Sequence, residues 1–176
     1  PVDLKIGEKY LGRTSFMKES FYAESGDGSQ IVTLERANSP GVNIYSAPLA
    51  LADKTEYSLL LSGMASHNNF AVTLLEEPVV RPEKGLARMQ LVNLLEGSPP
   101  LTLTAGGVST GTVPFRLASG YFELASGPQV LNVTNAQGGL VSSIPVTLAD
   151  RGEVTVMMGG FTSENIIVAR VFNDLD

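Results

Sequence analysis

His67 is the only histidine in this chain and therefore the only imidazole available for acid–base chemistry. It stands in the run Ser66-His67-Asn68-Asn69, just after a predicted strand and a glycine. A serine hydrolase would need this residue as its general base, with a second polar group holding the ring. The corresponding position of the internal repeat described below carries Glu164, so different polar side chains are accepted there. We therefore interpret His67 as an exposed loop residue.

The run Gly107-Val108-Ser109-Thr110-Gly111 fits the Gly-x-Ser-x-Gly pattern of hydrolase nucleophiles. That motif raises its serine on a strained turn between a strand and a helix. Here both flanks are strand-like, and Gly106-Gly107 has the composition of a tight hairpin turn. The pattern therefore predicts a turn, and Ser109 is not predicted to act as a nucleophile.

Three acidic residues, Asp27, Asp53 and Asp150, are the candidates for a metal or acid site. Asp53 and Asp150 recur at one position of the repeat, in a predicted turn between strands. A carboxylate that accepts a backbone N–H there would fix the turn. The chain has no cysteine, and its carboxylates lack the spacing of a calcium loop. We therefore predict no catalytic, cofactor-binding or metal-binding residues, and no enzyme activity.

Aromatic side chains offer one further chemistry, because they can stack against sugar rings. Five of them lie in the first half of the chain: Phe21, Tyr22, Tyr45, Tyr57 and Phe70. Tryptophan is absent, and core packing or an exposed interface accounts equally well for these residues. A carbohydrate-binding surface therefore remains an alternative interpretation.

The composition excludes several classes of partner. The chain has 176 residues, a formal net charge of −6 and no run of basic residues. Binding to nucleic acid or to an anionic membrane surface needs clustered Lys and Arg. No apolar stretch reaches the roughly 20 residues of a membrane-spanning helix. The 18 glycines and 10 prolines, spread among apolar residues, predict many short strands joined by turns.

The chain contains two similar halves. The segment 51–56, Leu-Ala-Asp-Lys-Thr-Glu, corresponds to 148–153, Leu-Ala-Asp-Arg-Gly-Glu, 97 positions later. Upstream the offset is 99, because Gly28-Ser29-Gln30-Ile31 corresponds to Gly127-Pro128-Gln129-Val130. Apolar and polar residues alternate within each half, as in Val2-Asp3-Leu4-Lys5-Ile6, which is typical of half-buried strands. These patterns predict an all-β fold of two tandem immunoglobulin-like β-sandwich domains related by internal duplication.

A charged stretch with prolines interrupts the alternation and predicts a linker at 79–86, between an N-terminal domain at 1–78 and a C-terminal domain at 87–176. The second domain opens with a strand-like run at 87–94, ahead of Pro100. Since Pro100 corresponds to Pro1, the equivalent strand of the first domain would lie upstream of residue 1. We expect the N-terminal domain to lack its first strand, which exposes an edge that invites pairing with another chain.

A family resemblance is carried by strand and turn segments in both halves. The first half has Val2-Asp3-Leu4-Lys5-Ile6-Gly7, Ser15-Phe16, Ser20-Phe21-Tyr22 and Gly26-Asp27-Gly28. The second half has Leu91-Val92-Asn93-Leu94, Ser98-Pro99-Pro100-Leu101-Thr102-Leu103, Ile144-Pro145-Val146-Thr147-Leu148 and Gly152-Glu153-Val154-Thr155-Val156. They resemble the AlgF-like family, periplasmic accessory proteins of alginate biosynthesis that take part in O-acetylation and have two β-sandwich halves. The resemblance implies a non-catalytic periplasmic adaptor in exopolysaccharide and biofilm formation. Such an adaptor would link a membrane-bound O-acyltransferase to a periplasmic acetyltransferase, with the polysaccharide as a further partner. The alternative is a secreted carbohydrate-binding or cell-surface β-sandwich module.

Overall fold

The structure is a computed structural model that describes residues 1–18, 23–64, 67, 69–77 and 81–173. It is all-β, with 62% of the described residues in strands that form several sheets, so the predicted fold class is confirmed at that level. Within the described ranges, no helix is long and apolar enough to cross a membrane. The chain divides into two compact units, Pro1–Glu77 and Pro78–Asp176.

Among its described residues, the first unit contains six strands in two sheets. They are β1 (Val2–Ile6), β2 (Lys9–Thr14), β3 (Gly28–Arg36), β4 (Asn43–Leu51), β5 (Tyr57–Ser62) and β6 (Ala71–Glu76). The first four form an antiparallel sheet in the order β2-β1-β3-β4. The other two form an antiparallel pair.

The described part of the second unit contains nine strands. They are β7 (Leu86–Glu96), β8 (Leu101–Ala105), β9 (Val108–Ser109), β10 (Leu117–Ala118), β11 (Phe122–Ala125), β12 (Gly127–Asn135), β13 (Leu140–Leu148), β14 (Glu153–Phe161) and β15 (Ile166–Asn173). One sheet has the order β10-β7-β14-β15, with β11 also paired to β7, and the other has the order β13-β12-β8-β9. The pair β7–β14 is parallel. β7 begins inside the predicted linker, because Leu86 already pairs with Ala125 of β11.

Strand registers agree between the two units. Gly28 opposes Leu51 in β3–β4, and Gly127 opposes Leu148 in β12–β13. In the same way β1–β3 has the register of β8–β12, and β5–β6 has that of β14–β15. The offsets are the 99 and 97 positions found in the sequence. β7 has no counterpart among the described strands of the first unit.

The two hydrophobic cores differ in completeness. Among the described residues, fifteen buried side chains form the core of the second unit and four form that of the first. Val156 and Met158 of β14 are 0% exposed. Their counterparts in β5, Leu59 and Leu61, are only half-buried. The apolar face of β5 therefore keeps surface in contact with water that β14 has removed from it.

Candidate functional site

The edge of β5 that points away from β6 carries no strand in the described part of the chain. In the second unit, the corresponding edge of β14 is covered by β7, which pairs with it along Glu153–Phe161. β5 is thus an edge strand, whereas its counterpart is a central strand. Backbone N–H and C=O groups on such an edge can pair with an added strand.

An ion pair fastens β7 to β14. Arg88 Nη2 lies 2.6 Å from Glu153 Oε2, and the two side chains are only 7% and 12% exposed. The Arg88 guanidinium also lies over the ring of Tyr121, 5.0 Å from its centroid. The residue of the first unit that corresponds to Glu153 is Glu56. Its side chain is exposed and makes no ion pair with any described residue.

A side-chain hydrogen bond accompanies this ion pair. Gln90 Nε2 donates to Thr155 Oγ1 over 3.1 Å, on the face of the sheet that carries Arg88. Ser58 corresponds to Thr155 and is half-buried. The first unit therefore keeps a hydroxyl at the position where the second unit receives an amide from β7.

The start of β7 is held by a carboxylate. Gly85 N–H donates to Asp150 Oδ1 over 2.6 Å. The sequence predicted that Asp150 accepts a backbone N–H. The donor, however, precedes β7 and does not belong to the turn itself, because β7 starts beside this turn. The counterpart Asp53 is exposed, 3.6 Å from Lys54 Nζ.

Five residues therefore define the candidate site, which we call the β5 edge: Asp53, Glu56, Ser58, Leu59 and Leu61. It offers two carboxylates, a hydroxyl and a half-buried apolar face beside a sheet edge that no described strand covers. Each of these features has a counterpart in the second unit. The counterparts of Glu56 and Ser58 contact β7, and that of Asp53 contacts the residue before β7. The counterparts of the two leucines pack in the core to which β7 contributes. The arrangement is suited to binding an extended polypeptide segment. Sequence reasoning anticipated the open edge but did not single out Glu56 or Ser58.

His67 lies in the connection between β5 and β6 and is exposed, as predicted. Its backbone N–H donates to the Met64 carbonyl over 3.2 Å. Met64 N–H in turn donates to Asn69 Oδ1 over 2.8 Å. The neighbouring Ser66 and Asn68, which belong to the same sequence motif, lie outside the described residues.

Ser109 ends β9 and is exposed, in a hairpin with β8 where it opposes Thr104. The two-residue connection Gly106-Gly107 has positive φ at both positions, 55° and 81°, which is the geometry of a type I′ turn. The residues after Ser109 continue without a helix as far as Arg116. The hairpin interpretation of this Gly-x-Ser-x-Gly run is confirmed.

The remaining candidate residues do not assemble into a polar site. Asp27 is exposed. Within the described ranges, no three His, Cys, Asp or Glu side chains are placed to hold a metal ion. Tyr45 and Phe70 pack against the core of the first unit. The Tyr57 hydroxyl accepts a hydrogen bond from Ala52 N–H over 3.1 Å. Phe21 and Tyr22 lie outside the described residues.

A charged cluster occupies the face of the first sheet opposite its core. Arg13 donates from Nε and Nη2 to the two carboxylate oxygens of Asp3, over 2.7 and 3.0 Å. Lys5 Nζ lies 2.6 Å from Glu35 Oε1. The Arg13 guanidinium holds the pKa of Asp3 below its ordinary value, and the Lys5 ammonium likewise lowers the pKa of Glu35. All four counterparts in the second unit are threonines, so these ion pairs belong to the first unit alone.

Comparison with known proteins adds no relative to this picture. No protein-family model matches the chain, and no curated protein matches it. Its function must therefore be inferred from its geometry and from the resemblance of its strand motifs.

Proposed function

We propose that this chain is a non-catalytic periplasmic adaptor in the O-acetylation of a bacterial exopolysaccharide, alginate or a similar polymer. It links a membrane-bound O-acyltransferase to a periplasmic acetyltransferase through protein–protein contacts. The observation that carries the proposal is the β5 edge, where no described strand lies on one side of β5 and the exposed carboxylates of Asp53 and Glu56 lie nearby. Open edges bind other polypeptides by strand addition. The resemblance of the strand motifs to the AlgF-like family is the reason we assign the adaptor to polysaccharide O-acetylation.

We further infer that the two units are tandem immunoglobulin-like β-sandwiches that arose by duplication. The matched registers support this, and so does a repeated local contact. Gln30 Nε2 donates to the Gly26 carbonyl over 3.4 Å, and Gln129 Nε2 donates to the Ala125 carbonyl over 3.0 Å. These residues correspond at the offset of 99. Duplication accounts for a pair of units in which one is complete and the other leaves a binding edge open.

Co-purification from cells tests the adaptor role. The tagged chain is expressed with the cognate O-acyltransferase and acetyltransferase, and both enzymes are quantified in the eluate. We expect Glu56→Arg to reduce their recovery by at least about tenfold, because it reverses the charge at the β5 edge. Glu76→Arg, a charge reversal at an exposed position of β6, is the matched control and should leave recovery unchanged.

Two results would refute the adaptor role. One is that neither enzyme co-purifies with the unaltered chain. The other is that cells lacking the chain acetylate their polysaccharide normally. Binding of the purified polysaccharide without either enzyme would instead favour the carbohydrate-binding module.

A further inference from the structure

We propose that the β5 edge receives a strand from a partner polypeptide, that this strand runs parallel to β5, and that it carries a basic residue followed by alternating apolar side chains with an amide between them. This inference rests on the proposed adaptor function and specifies the chemistry of the partner segment. β7 lies in the equivalent place beside β14, and we infer the features of the partner segment from its sequence and contacts.

The direction of the incoming strand is inferred by analogy with β7, and the matched registers support the analogy. Tyr57 opposes Glu76 in β5–β6, and the corresponding Val154 opposes Asn173 in β14–β15. Successive backbone groups of a strand point to alternate sides, so pairing on one side decides which groups reach the other. The free edge of β5 therefore presents the same sequence of donors and acceptors that β14 presents to β7. Because β7 runs parallel to β14, the incoming strand should run parallel to β5.

Charge complementarity determines which side chain of the incoming strand lies opposite Glu56. In the second unit, Arg88 stands opposite Glu153 in the register and forms the 2.6 Å ion pair with it. Glu56 occupies the place of Glu153 but is exposed. An Arg or Lys on the incoming strand would pair with Glu56, whereas an acidic residue there would be repelled.

The apolar face of β5 determines that the incoming strand carries apolar side chains at every second position. Leu59 and Leu61 are half-buried, whereas Val156 in the place of Leu59 is 0% exposed. Met89 and Leu91 of β7 are also 0% exposed and belong to the same core as Val156. Large apolar side chains at alternate positions of an incoming strand would cover the two leucines in the same way.

Two polar contacts would fix the register of the partner. Ser58 can accept a hydrogen bond from an amide side chain, as Thr155 does from Gln90, which lies two residues after the basic position. Asp53 can accept a backbone N–H, as Asp150 does three residues before that position. The partner segment is therefore x-x-x-basic-apolar-amide-apolar. The net charge of −6 opposes a second copy of this chain as its source and favours a basic segment of another protein.

Cross-linking tests the direction and register. The chain has no cysteine, so Ser58→Cys gives one thiol at the β5 edge. The probe is a synthetic peptide with the sequence of residues 85–96, carrying cysteine either at the Gln90 position or at the Leu94 position. With Ser58→Cys, we expect the first peptide to form the disulfide at least about tenfold faster, because only it brings the two Cα atoms within bonding range. With Ser62→Cys instead, the second peptide should react faster, because a parallel strand places its Leu94 position opposite Ser62, as β7 places Leu94 opposite Gly159, whereas an antiparallel strand would not. Equal rates, the reverse preference with either variant, or no reaction would overturn the proposal.

Charge reversal tests the recognition by Glu56. Binding of the unmodified peptide to the chain is measured by calorimetry or fluorescence anisotropy. Glu56→Arg should weaken binding by at least about tenfold, and a peptide with Arg88→Glu should restore it. Glu76→Arg should leave the affinity unchanged. Affinity that does not depend on Glu56 would refute the recognition by charge.

Two further arms identify the source of the strand. In the first arm, any residues that the gene encodes ahead of Pro1 are added to the chain. If they protect the β5 amides from exchange and prevent binding of the peptide, the chain supplies its own strand and the partner is refuted. Sedimentation of the chain alone shows whether it dimerises; a dimer that Glu56→Arg disrupts would replace the partner by a second copy. The peptide measurements do not involve the two enzymes, so loss of co-purification with peptide binding intact would refute the pathway and leave the β5 edge as a strand acceptor.

Discussion

At the scale of single residues, two ion pairs couple the stability of the first unit to pH. Asp3 and Glu35 have pKa values below their ordinary 3.8 and 4.5, because Arg13 and Lys5 stabilise the charged forms. A carboxyl whose pKa is lower in the folded state stabilises the fold above its unfolded pKa. That contribution is lost as the pH falls through the folded pKa. The free energy of unfolding of the first unit should therefore fall as the pH drops below about 4.5.

The double variant Asp3→Asn, Glu35→Gln should be less stable than the unaltered chain near neutral pH and should depend less on pH. Denaturant titrations followed from about pH 7 to about pH 3 give this comparison. An unchanged pH dependence in the double variant would show that other groups cause the acid sensitivity.

The buried ion pair of the second unit should contribute far more to stability than an exposed one. Glu153→Gln leaves the Arg88 guanidinium buried without its counter-charge, and we expect a loss of about 3 kcal/mol in the free energy of unfolding. Asp53→Asn removes the pair with Lys54, whose side chains are 69% and 88% exposed, and should change stability by less than about 0.5 kcal/mol. Urea unfolding measures both. Equally small losses would contradict the importance of this pair.

His67 tests the absence of catalysis. A His67→Ala variant should restore full polysaccharide acetylation to cells that lack the chain, because an exposed loop histidine has no part in the proposed role. Acetyl groups released by mild alkali provide the measurement, with the deletion strain as control. Loss of acetylation in a variant that is folded and present at normal level would assign a chemical role to His67.

At the scale of the elements, two corresponding glycines permit the close approach of strand pairs. Gly63 and Gly160 have φ of 103° and 125°, a region that other residues rarely adopt. A Cβ on Gly160 would also overlap the carbonyl oxygen of Ile166, and one on Gly63 would overlap that of Asn69. Gly160→Ala should therefore destabilise the second unit by at least about 2 kcal/mol.

Gly120→Ala is the matched control, because a Cβ there meets no atom within 4 Å and its φ is ordinary. It should be neutral or slightly stabilising. Thermal unfolding of the two variants compares them. A similar midpoint for both would mean that the backbone around Gly160 relaxes without cost.

Much of the element order was predictable from the sequence. The alternation in Val2–Ile6 and in 144–148 gave strands that the structure contains, and the repeat offsets match the strand registers. The start of β7 was not predictable from local composition, because Leu86 is held by its pairing with Ala125, a contact between distant parts of the chain. The segment before Leu86 is polar and contains a proline, so its composition alone predicted a linker that extends to residue 86.

The candidate site was predictable only in outline. The absence of a described strand on one side of β5 agrees with the expectation obtained by setting one half of the sequence against the other. The importance of Glu56, however, depends on the ion pair of its counterpart Glu153 with Arg88 across a parallel strand pair. Periodicity reports which face a side chain occupies but not which strand lies beside it. For the same reason Asp150 was assigned to its own turn and not to the residue before β7.

At the scale of the whole molecule, the described strands of the two units differ most in the pairing of one corresponding pair, β5 and β14. The second unit closes its central strand β14 between β7 and β15, whereas β5 has β6 on one side alone among the described strands. The proposed adaptor would thus have one unit whose central strand is paired on both sides and one unit that acquires a strand on binding. Leaving β5 uncovered lowers the stability of the first unit, because its half-buried leucines keep apolar surface in contact with water.

Amide hydrogen exchange of the isolated chain tests this central claim most directly. We expect the alternate β5 amides that point to the open edge to exchange at least about tenfold faster than those that pair with β6, whereas the corresponding amides of β14 should be protected on both sides. The comparison within each strand removes differences in the overall stability of the two units. Uniform protection along β5, matching that of β14, would contradict an open edge and with it the proposed mode of binding.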